Sequence, residues 1–252
     1  MNIEKVVKKY GEKRVVDTVD YDIVPQTLTA FIGPNGAGKS TLLGMMSRLL
    51  DKDQGGIYLD GEEVKAWNQH ELAKKLSILK QANGIQLRLT VRELVAFGRF
   101  PHSKGRLTQI DEKKIDESLS YLGLDDLASD TIDTLSGGQL QRAYIAMVLA
   151  QDTEYIFLDE PLNNLDMNHA VMLMKTIRRL VDEANKTVVI VLHDINFAAS
   201  YADNIVAMKS GKVFKAGPTA EIITKEVLDD LYDMNMRVCE LEGKRFCLYF
   251  NE

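Results

Sequence analysis

Eight consecutive residues, Gly33-Pro34-Asn35-Gly36-Ala37-Gly38-Lys39-Ser40, satisfy the spacing G-x-x-x-x-G-K-[ST]. They lie between an apolar run, Thr27–Ile32, that reads as a strand and a segment, Lys39–Leu50, that reads as a helix. Glycines at these points let backbone N–H groups curl around a phosphate, and the helix start turns its positive end to the same anion. In that reading Lys39 reaches the β- and γ-phosphates of a nucleotide, Ser40 ligates Mg²⁺, and Thr41 donates to an α-phosphate oxygen. A second chemical cluster closes the apolar strand Tyr155-Ile156-Phe157-Leu158. A carboxylate at the C-terminal tip of a buried parallel strand stands where such sheets bind ligands. Asp159 therefore suits Mg²⁺, mostly through water. Glu160, one residue further out, can orient or deprotonate an attacking water.

These groups need a scaffold, and the pattern of the chain describes one. The first thirty residues read as β structure, with the loose alternation of Arg14–Ile23 as their clearest stretch. Asp53-Gln54-Gly55-Gly56 should break the helix after the glycine-rich turn, and Ile57-Tyr58-Leu59 before Asp60-Gly61 reads as a strand and turn. From about Asn83 to Gly138 the pattern is mostly helical, with Thr90 and Asp111 as expected N-caps of Thr90–Phe97 and Asp111–Leu122. Strands and helices then alternate: Tyr155–Leu158, Met167–Ala184, Thr187–Leu192, Ile195–Tyr201 and Asn204–Met208. That alternation implies an α/β fold with a parallel sheet covered on both faces. A β region at the front and a helical region in the middle interrupt it, with no Pro/Ser-rich linker. Thr219–Tyr232 reads as a helix and Met236–Phe250 as a hairpin turning at Glu242-Gly243. No internal repeat or low-complexity tract is visible.

Composition narrows the class further. Of 252 residues, 45% are apolar and 27% charged, which excludes a disordered or collagenous chain. No apolar run approaches the roughly 20 residues that span a bilayer. The start, Met1-Asn2-Ile3-Glu4-Lys5, has no apolar h-region, so a cytoplasmic location is expected. A net charge of −6 argues against a nucleic-acid partner. Cys239 and Cys247 have no CxxC spacing and read as structural or inert. His70, His102 and His169 lack metal-ligand spacing and read as surface residues. Trp67 reads as a packing or boundary residue, and Met45, Met46, Met172 and Met174 as fillers of helix faces.

A third element decides the family. Leu135-Ser136-Gly137-Gly138-Gln139 precedes the apolar helix Leu140–Ala150. Ser136 is an N-cap, and the glycine amides after it make a second anion-binding helix start. In this order after the phosphate loop and before the acidic strand, the segment resembles the signature of the ATP-binding-cassette (ABC) family. The resemblance covers residues 1 to about 225. It implies a P-loop NTPase core of mostly parallel sheet with flanking helices, an N-terminal antiparallel β subdomain and an inserted helical subdomain. The expected boundaries are residues 1–82 with 155–225 for the β subdomain and core, 83–154 for the helical subdomain, and 226–252 for a C-terminal extension without an interpretable motif.

By the same resemblance, Tyr10 in Lys9-Tyr10-Gly11 stacks on adenine. Gln81 links the metal to the helical lobe, and His193 in Leu192-His193-Asp194 contacts the γ-phosphate. Asn164-Leu165-Asp166 meets a partner subunit, Asn164 standing where a small residue is commoner. ATP and Mg²⁺ are the implied cofactors. Two chains would form a head-to-tail dimer, each ATP lying between the phosphate loop of one chain and Ser136-Gly137-Gly138-Gln139 of the other. The dimer would work on the cytoplasmic face of a membrane with integral permease subunits and, indirectly, a substrate-binding protein. Leu89–Pro101, Asn163-Asn164-Leu165-Asp166 and Leu192–Asn196 resemble importer ATPases for ferric siderophores, haem and cobalamin, and Arg99-Phe100-Pro101-His102 resembles the siderophore branch most. A haem, cobalamin or other transporter ATPase, an exporter included, is the alternative. A repair or ribosomal cassette fits less well, because the chain has one cassette, no coiled coil and an acidic balance.

Overall fold

The chain divides into two units, residues 1–67 with 187–252 and residues 68–186. Its structure, a computed structural model, describes residues 1–80, 88–163 and 165–249. Gln81 and Asn164, two expected site positions, lie outside the described residues. Trp67, read as a boundary residue, is the last residue of the first segment.

The first unit opens with β1 (Asn2–Tyr10) and β2 (Lys13–Asp22), an antiparallel pair whose inward faces bury Ile3, Val6, Val16 and Val19. β3 (Leu28–Ile32) is buried at every residue, as a strand covered on both faces should be. After the glycine-rich turn comes α1 (Lys39–Met46), shorter than the expected Lys39–Leu50. Beyond Met46 the Leu49 and Leu50 N–H groups both donate to the carbonyl of Gly44, which ends the regular helix. β4 (Gln54–Leu59) and the two-residue β5 (Glu62–Glu63) complete a four-stranded sheet of order β2-β1-β4-β5. The expected breaker at Gln54-Gly55-Gly56 is thus the start of a strand. Gly55 passes so close to the carbonyls of Glu4 and Lys5 that a Cβ would lie 2.4 Å from each oxygen, and the β1–β4 register shifts at this point.

The second unit begins with α2 (Gln69–Lys75) and β6 (Leu76–Leu79). Helices α3 (Val91–Phe97), α4 (Phe100–Ser103), α5 (Gln109–Tyr121) and α6 (Gly137–Ala150) follow. Then come β7 (Tyr155–Asp159), parallel to β6, and the long α7 (Met167–Ala184). Thr90 caps α3 as expected, in a capping box with Glu93. Asp111 does not cap α5. The helix starts two residues earlier under Thr108, and Asp111 is the third residue of its own capping box. Val91, Leu94, Val95, Ile115, Leu119 and Ala146 form a buried seam between α3, α5 and α6.

The chain then returns to the first unit. β8 (Thr187–Val191) runs parallel to β3, α8 (Ile195–Tyr201) follows, and β9 (Asn204–Lys209) runs parallel to the other side of β3. β10 (Lys212–Pro218) closes that edge antiparallel to β9. The expected helix Thr219–Tyr232 is two helices, α9 (Thr219–Ile222) and α10 (Lys225–Tyr232), because Thr224 is extended and caps the second. β11 (Arg237–Leu241) and β12 (Lys244–Leu248) form the expected terminal hairpin. Among the described residues no helix is long and apolar enough to cross a membrane.

One charged pair holds the helical seam. Arg99 and Asp111 are both almost fully buried, with Nε and Oδ1 2.9 Å apart, and Arg99 also donates to the carbonyl of Ala150 at 2.7 Å. Burial works to raise the Asp111 carboxyl, but hydrogen bonds from Thr108 and Arg99 outweigh it and hold it below the usual range. Removing one partner of such a pair leaves an uncompensated buried charge. Asp111→Ala should therefore lower stability by about 3–5 kcal/mol in urea unfolding. The carboxylate's contribution is complete above its unfolded value, about pH 4, and is lost as pH falls through the depressed folded value. The acid limb of the stability curve should accordingly be shallower in the variant.

Candidate nucleotide site

The phosphate loop joins the end of β3 to the start of α1. Gly33 has φ 137° and Gly38 φ 99°, and neither has room for a side chain. A Cβ on Gly33 would lie 2.0 Å from the carbonyl oxygen of Met208, and one on Gly38 2.5 Å from that of Val15. At Gly36, by contrast, nothing lies within 4 Å of the place a Cβ would take. The backbone is thus pressed against protein on one side and bare on the other. Such a cradle fits a phosphate. Lys39 is buried, and its ammonium donates to the carbonyls of Gly33 (2.7 Å) and Pro34 (3.1 Å), inside the curve of the loop. Asn35 and Gly36 are exposed at the tip, Pro34, Ser40 and Thr41 are half-buried, and Ala37 is buried. The turn between β9 and β10 braces the loop, with Gly211 N–H donating to the Ala37 carbonyl and Asp17 N–H to the Gly211 carbonyl.

The same unit carries two further expected residues. Tyr10 ends β1 and is 54% exposed, available for stacking, and the Lys8 ammonium stands 5.5 Å from the ring centroid. His193 is exposed two residues past the end of β8. Asp194 follows it as the cap of α8, accepting from the N–H groups of Asn196 (2.7 Å) and Phe197 (3.3 Å). Residues 192–194 are thereby fixed between a buried strand and a capped helix.

The second unit carries the acidic and signature residues. Asp159 is the buried last residue of β7. Glu160 adopts the left-handed conformation, φ 53°, uncommon for a side chain of this size. Asn163 holds its carboxylate, donating from Nδ2 to Oε2 at 2.7 Å. Strain of this kind persists only where neighbours enforce it, and it is frequent at active sites. Ser136 caps α6 in a capping box with Gln139, and Ser136 and Gly137 are exposed. Gln141, one turn along α6, donates to the Pro161 carbonyl at 3.0 Å and so ties the signature helix to the loop after Glu160.

Asp166 caps α7 and accepts from both the backbone N–H and Nδ1 of His169 at 2.9 and 2.8 Å. Those bonds from His169 hold its carboxyl below the usual range. His169, read from sequence as a surface residue, also stands against the signature turn: a Cβ on Gly138 would be 3.6 Å from its ring. The spacing Asp166-x-x-His169 is a usable signal for that pairing. Nothing in type or spacing marks Gln141, and Asn163, part of the segment that resembles importer ATPases, shows no sign in the sequence of its bond to Glu160. Among the described residues no group of three His, Cys, Asp or Glu is placed to hold a metal. Serine and aspartate oxygens fit Mg²⁺ that keeps much of its water and phosphate shell.

A glycine cradle at the tip of a parallel strand, with a buried lysine curled inside it, defines a P-loop nucleoside triphosphatase. The profile of the ABC transporter family matches residues 16–163, and the chain belongs to that family. It is 55% identical over 251 residues to the petrobactin import ATP-binding protein YclP of Bacillus subtilis (strain 168), with all of both chains covered. It is 38% identical over 239 residues to the ferric enterobactin transport ATP-binding protein FepC of Escherichia coli (strain K12), covering 94% of this chain and 89% of that one. Among solved structures, it is similar to an ATP-binding cassette in a dimeric post-hydrolysis state bound to ADP and Pi. That likeness has a TM-score of 0.77 at 31% identity, over 86% of this chain and 98% of the other.

The buried lysine gives the first functional test. A charge-assisted hydrogen bond contributes about 1.5–3 kcal/mol, so Lys39→Ala should weaken MgATP binding at least about tenfold. Titration with a fluorescent ATP analogue checks it, and undiminished affinity would remove Lys39 from the site.

Proposed function

We propose that the chain is the ATP-hydrolysing subunit of an importer for ferric siderophores, acting on a separate membrane permease. The observation that supports this reading is the full-length similarity to a petrobactin import ATP-binding protein, joined to a phosphate loop with every fixed residue in place. Ferric petrobactin is the first substrate to test. ATP stacks on Tyr10, and Gly33–Thr41 hold its phosphates. Ser40, Asp159 and Gln81 are the oxygen donors for Mg²⁺, which when bound offsets phosphate charge. Glu160, its carboxylate steadied by Asn163, takes the proton of the attacking water, and His193 contacts the γ-phosphate.

Two chains pair head-to-tail on the cytoplasmic face of the membrane, and Ser136, Gly137, Gly138, Gln139 and Asp166 of one meet the nucleotide of the other. Binding closes the pair and loss of phosphate reopens it. The γ-phosphate can drive the permease only because it binds the closed state better than the open one. The helical lobe expected over residues 83–154 faces the permease, whose partner on the far side is a substrate-binding protein.

Glu160→Gln keeps the volume of the side chain and loses the base. Turnover should fall at least about a hundredfold while MgATP affinity stays within twofold, and an ATP-bound dimer should accumulate in gel filtration. Hydrolysis at the parent rate would place the base elsewhere. The cargo has its own test. Deleting the gene should abolish uptake of iron-labelled petrobactin under iron limitation, and the wild-type copy but not Lys39→Ala should restore it. Undiminished uptake in a strain lacking redundant ATPases would overturn siderophore import and leave the ATPase chemistry standing.

A further inference from the structure

The C-terminal segment carries no motif, yet it touches the phosphate loop. Tyr232, the last residue of α10, accepts a hydrogen bond from the backbone N–H of Gly33 at 3.1 Å. Gly33 is the first residue of the loop. Its carbonyl is the nearer of the two that receive the Lys39 ammonium. The Tyr232 hydroxyl is pushed well above its ordinary range by burial, so it stays neutral and keeps its proton.

The hairpin beyond α10 grips the start of α8, the helix that follows His193. Asn196, in the first turn of α8, pairs with the backbone of Cys247 in both directions. Its Nδ2 donates to the Cys247 carbonyl at 3.2 Å, and the Cys247 N–H donates to its Oδ1 at 2.7 Å. Arg245 of β12 donates to the carbonyls of Ala220 and Ile223, the latter at 2.9 Å. Met236 N–H donates to Asp229 at 2.6 Å, which joins the hairpin to α10. Cys247 is buried and Cys239 exposed. Burial and then the charge of Asp194 push the Cys247 thiol up to about 11. Asp194 is the residue after His193.

We infer that residues 225–249 position the nucleotide site. Tyr232 is a positioning residue for the phosphate loop through Gly33, and the hairpin, held by Asn196, keeps α10 and the His193 turn in register with it. The inference rests on the reading of Gly33–Ser40 as the ATP site. The phenol can do this because it offers an oxygen acceptor at a point where the strand ladder has ended. A phenylalanine there would fill the same space and leave the Gly33 N–H unsatisfied. Coupling of this kind is reciprocal: if the docked segment strengthens nucleotide binding, nucleotide must hold the segment docked.

The test uses the full-length chain with Cys239→Ser, so that Cys247 is its one thiol. Tyr232→Phe in this background should raise both the dissociation constant for MgATP and the ATPase KM about fivefold, the value of one neutral hydrogen bond. kcat should stay within twofold of the parent. A general loss of folded protein would lower kcat and leave KM alone, so the split separates positioning from stability. MgADP should slow iodoacetamide labelling of Cys247 several-fold in the parent and have no effect in Tyr232→Phe. A KM within twofold of the parent's overturns the proposal, as does labelling of the parent that MgADP leaves unchanged. If Tyr232→Phe fails to fold, the parent's labelling decides alone. A parent that binds no MgATP would overturn the nucleotide reading itself, a result distinct from equal binding by parent and variant.

Discussion

Every backbone atom of Gly33 that can make a contact makes a specific one. Its N–H goes to Tyr232, its carbonyl receives Lys39, and its α-carbon faces the Met208 carbonyl with no room for a methyl group. Buried backbone groups must be satisfied, and here the partners come from the C-terminal segment, the helix after the loop and the strand beside β3. The loop can then turn its remaining curve to an anion. A larger residue would force β3 and β9 apart at Met208, in a parallel array where Ile32 and Ala207 are register partners and fully buried. The cradle is therefore a property of the sheet, and the lysine within it is held by the same residue that pins the loop down.

The acidic turn in the other unit follows a comparable logic by different means. β7 is buried throughout and delivers Asp159 at its tip. The chain must then leave the strand at once, and Glu160 does so with a left-handed backbone that an alanine-like residue finds costly. Asn163 offsets part of that cost by binding both the carboxylate and, through its own N–H, the Glu160 carbonyl at 3.3 Å. A carboxylate fixed by backbone and side chain together is preorganised, its geometry set before any ligand arrives.

Much of this could be read before any coordinates. The glycine-rich turn, the acidic strand end and the Ser136 cap are local, with a physical reason for each residue type at each spacing, and the helices Met167–Ala184 and Ile195–Tyr201 stand where their periodicity put them. The misreadings have local causes. Asp111 looks like a cap because Asp is a cap residue, but Thr108 three positions earlier takes that role and leaves Asp111 to answer from inside the helix. Gly55-Gly56 looks like a breaker, yet Gly55 stands where the β1 carbonyls of Glu4 and Lys5 pass too close for a side chain, and Gly56 where the Tyr58 ring does. Tyr232, Asn196 and Asn163 act through contacts that no spacing announces. Tyr232 and Gly33 are 199 residues apart, a separation over which residue type carries no signal.

Helix starts show how the molecule reserves places for charge it does not itself supply. Among the described helices of eight or more residues, α5 has Asp111 and Glu112 in its first turn, α10 has Glu226, and α7 is capped by Asp166. Each places a carboxylate at the positive end of the helix dipole. The exceptions are α1 and α6, whose caps are Gly38 and Ser136 and whose first turns hold no acid. These are the two helices that begin at the phosphate loop and at the signature turn. A carboxylate at either start would stabilise the empty protein by about 0.3–1 kcal/mol and would repel a phosphate by a similar amount. Leaving the α1 start uncharged leaves its dipole end to the phosphates of the nucleotide, and the α6 start is likewise without an acid. Binding energy arranged in this way depends on where the phosphates are, so it changes when the γ-phosphate is cleaved and leaves, and a conformational cycle can be built on that difference.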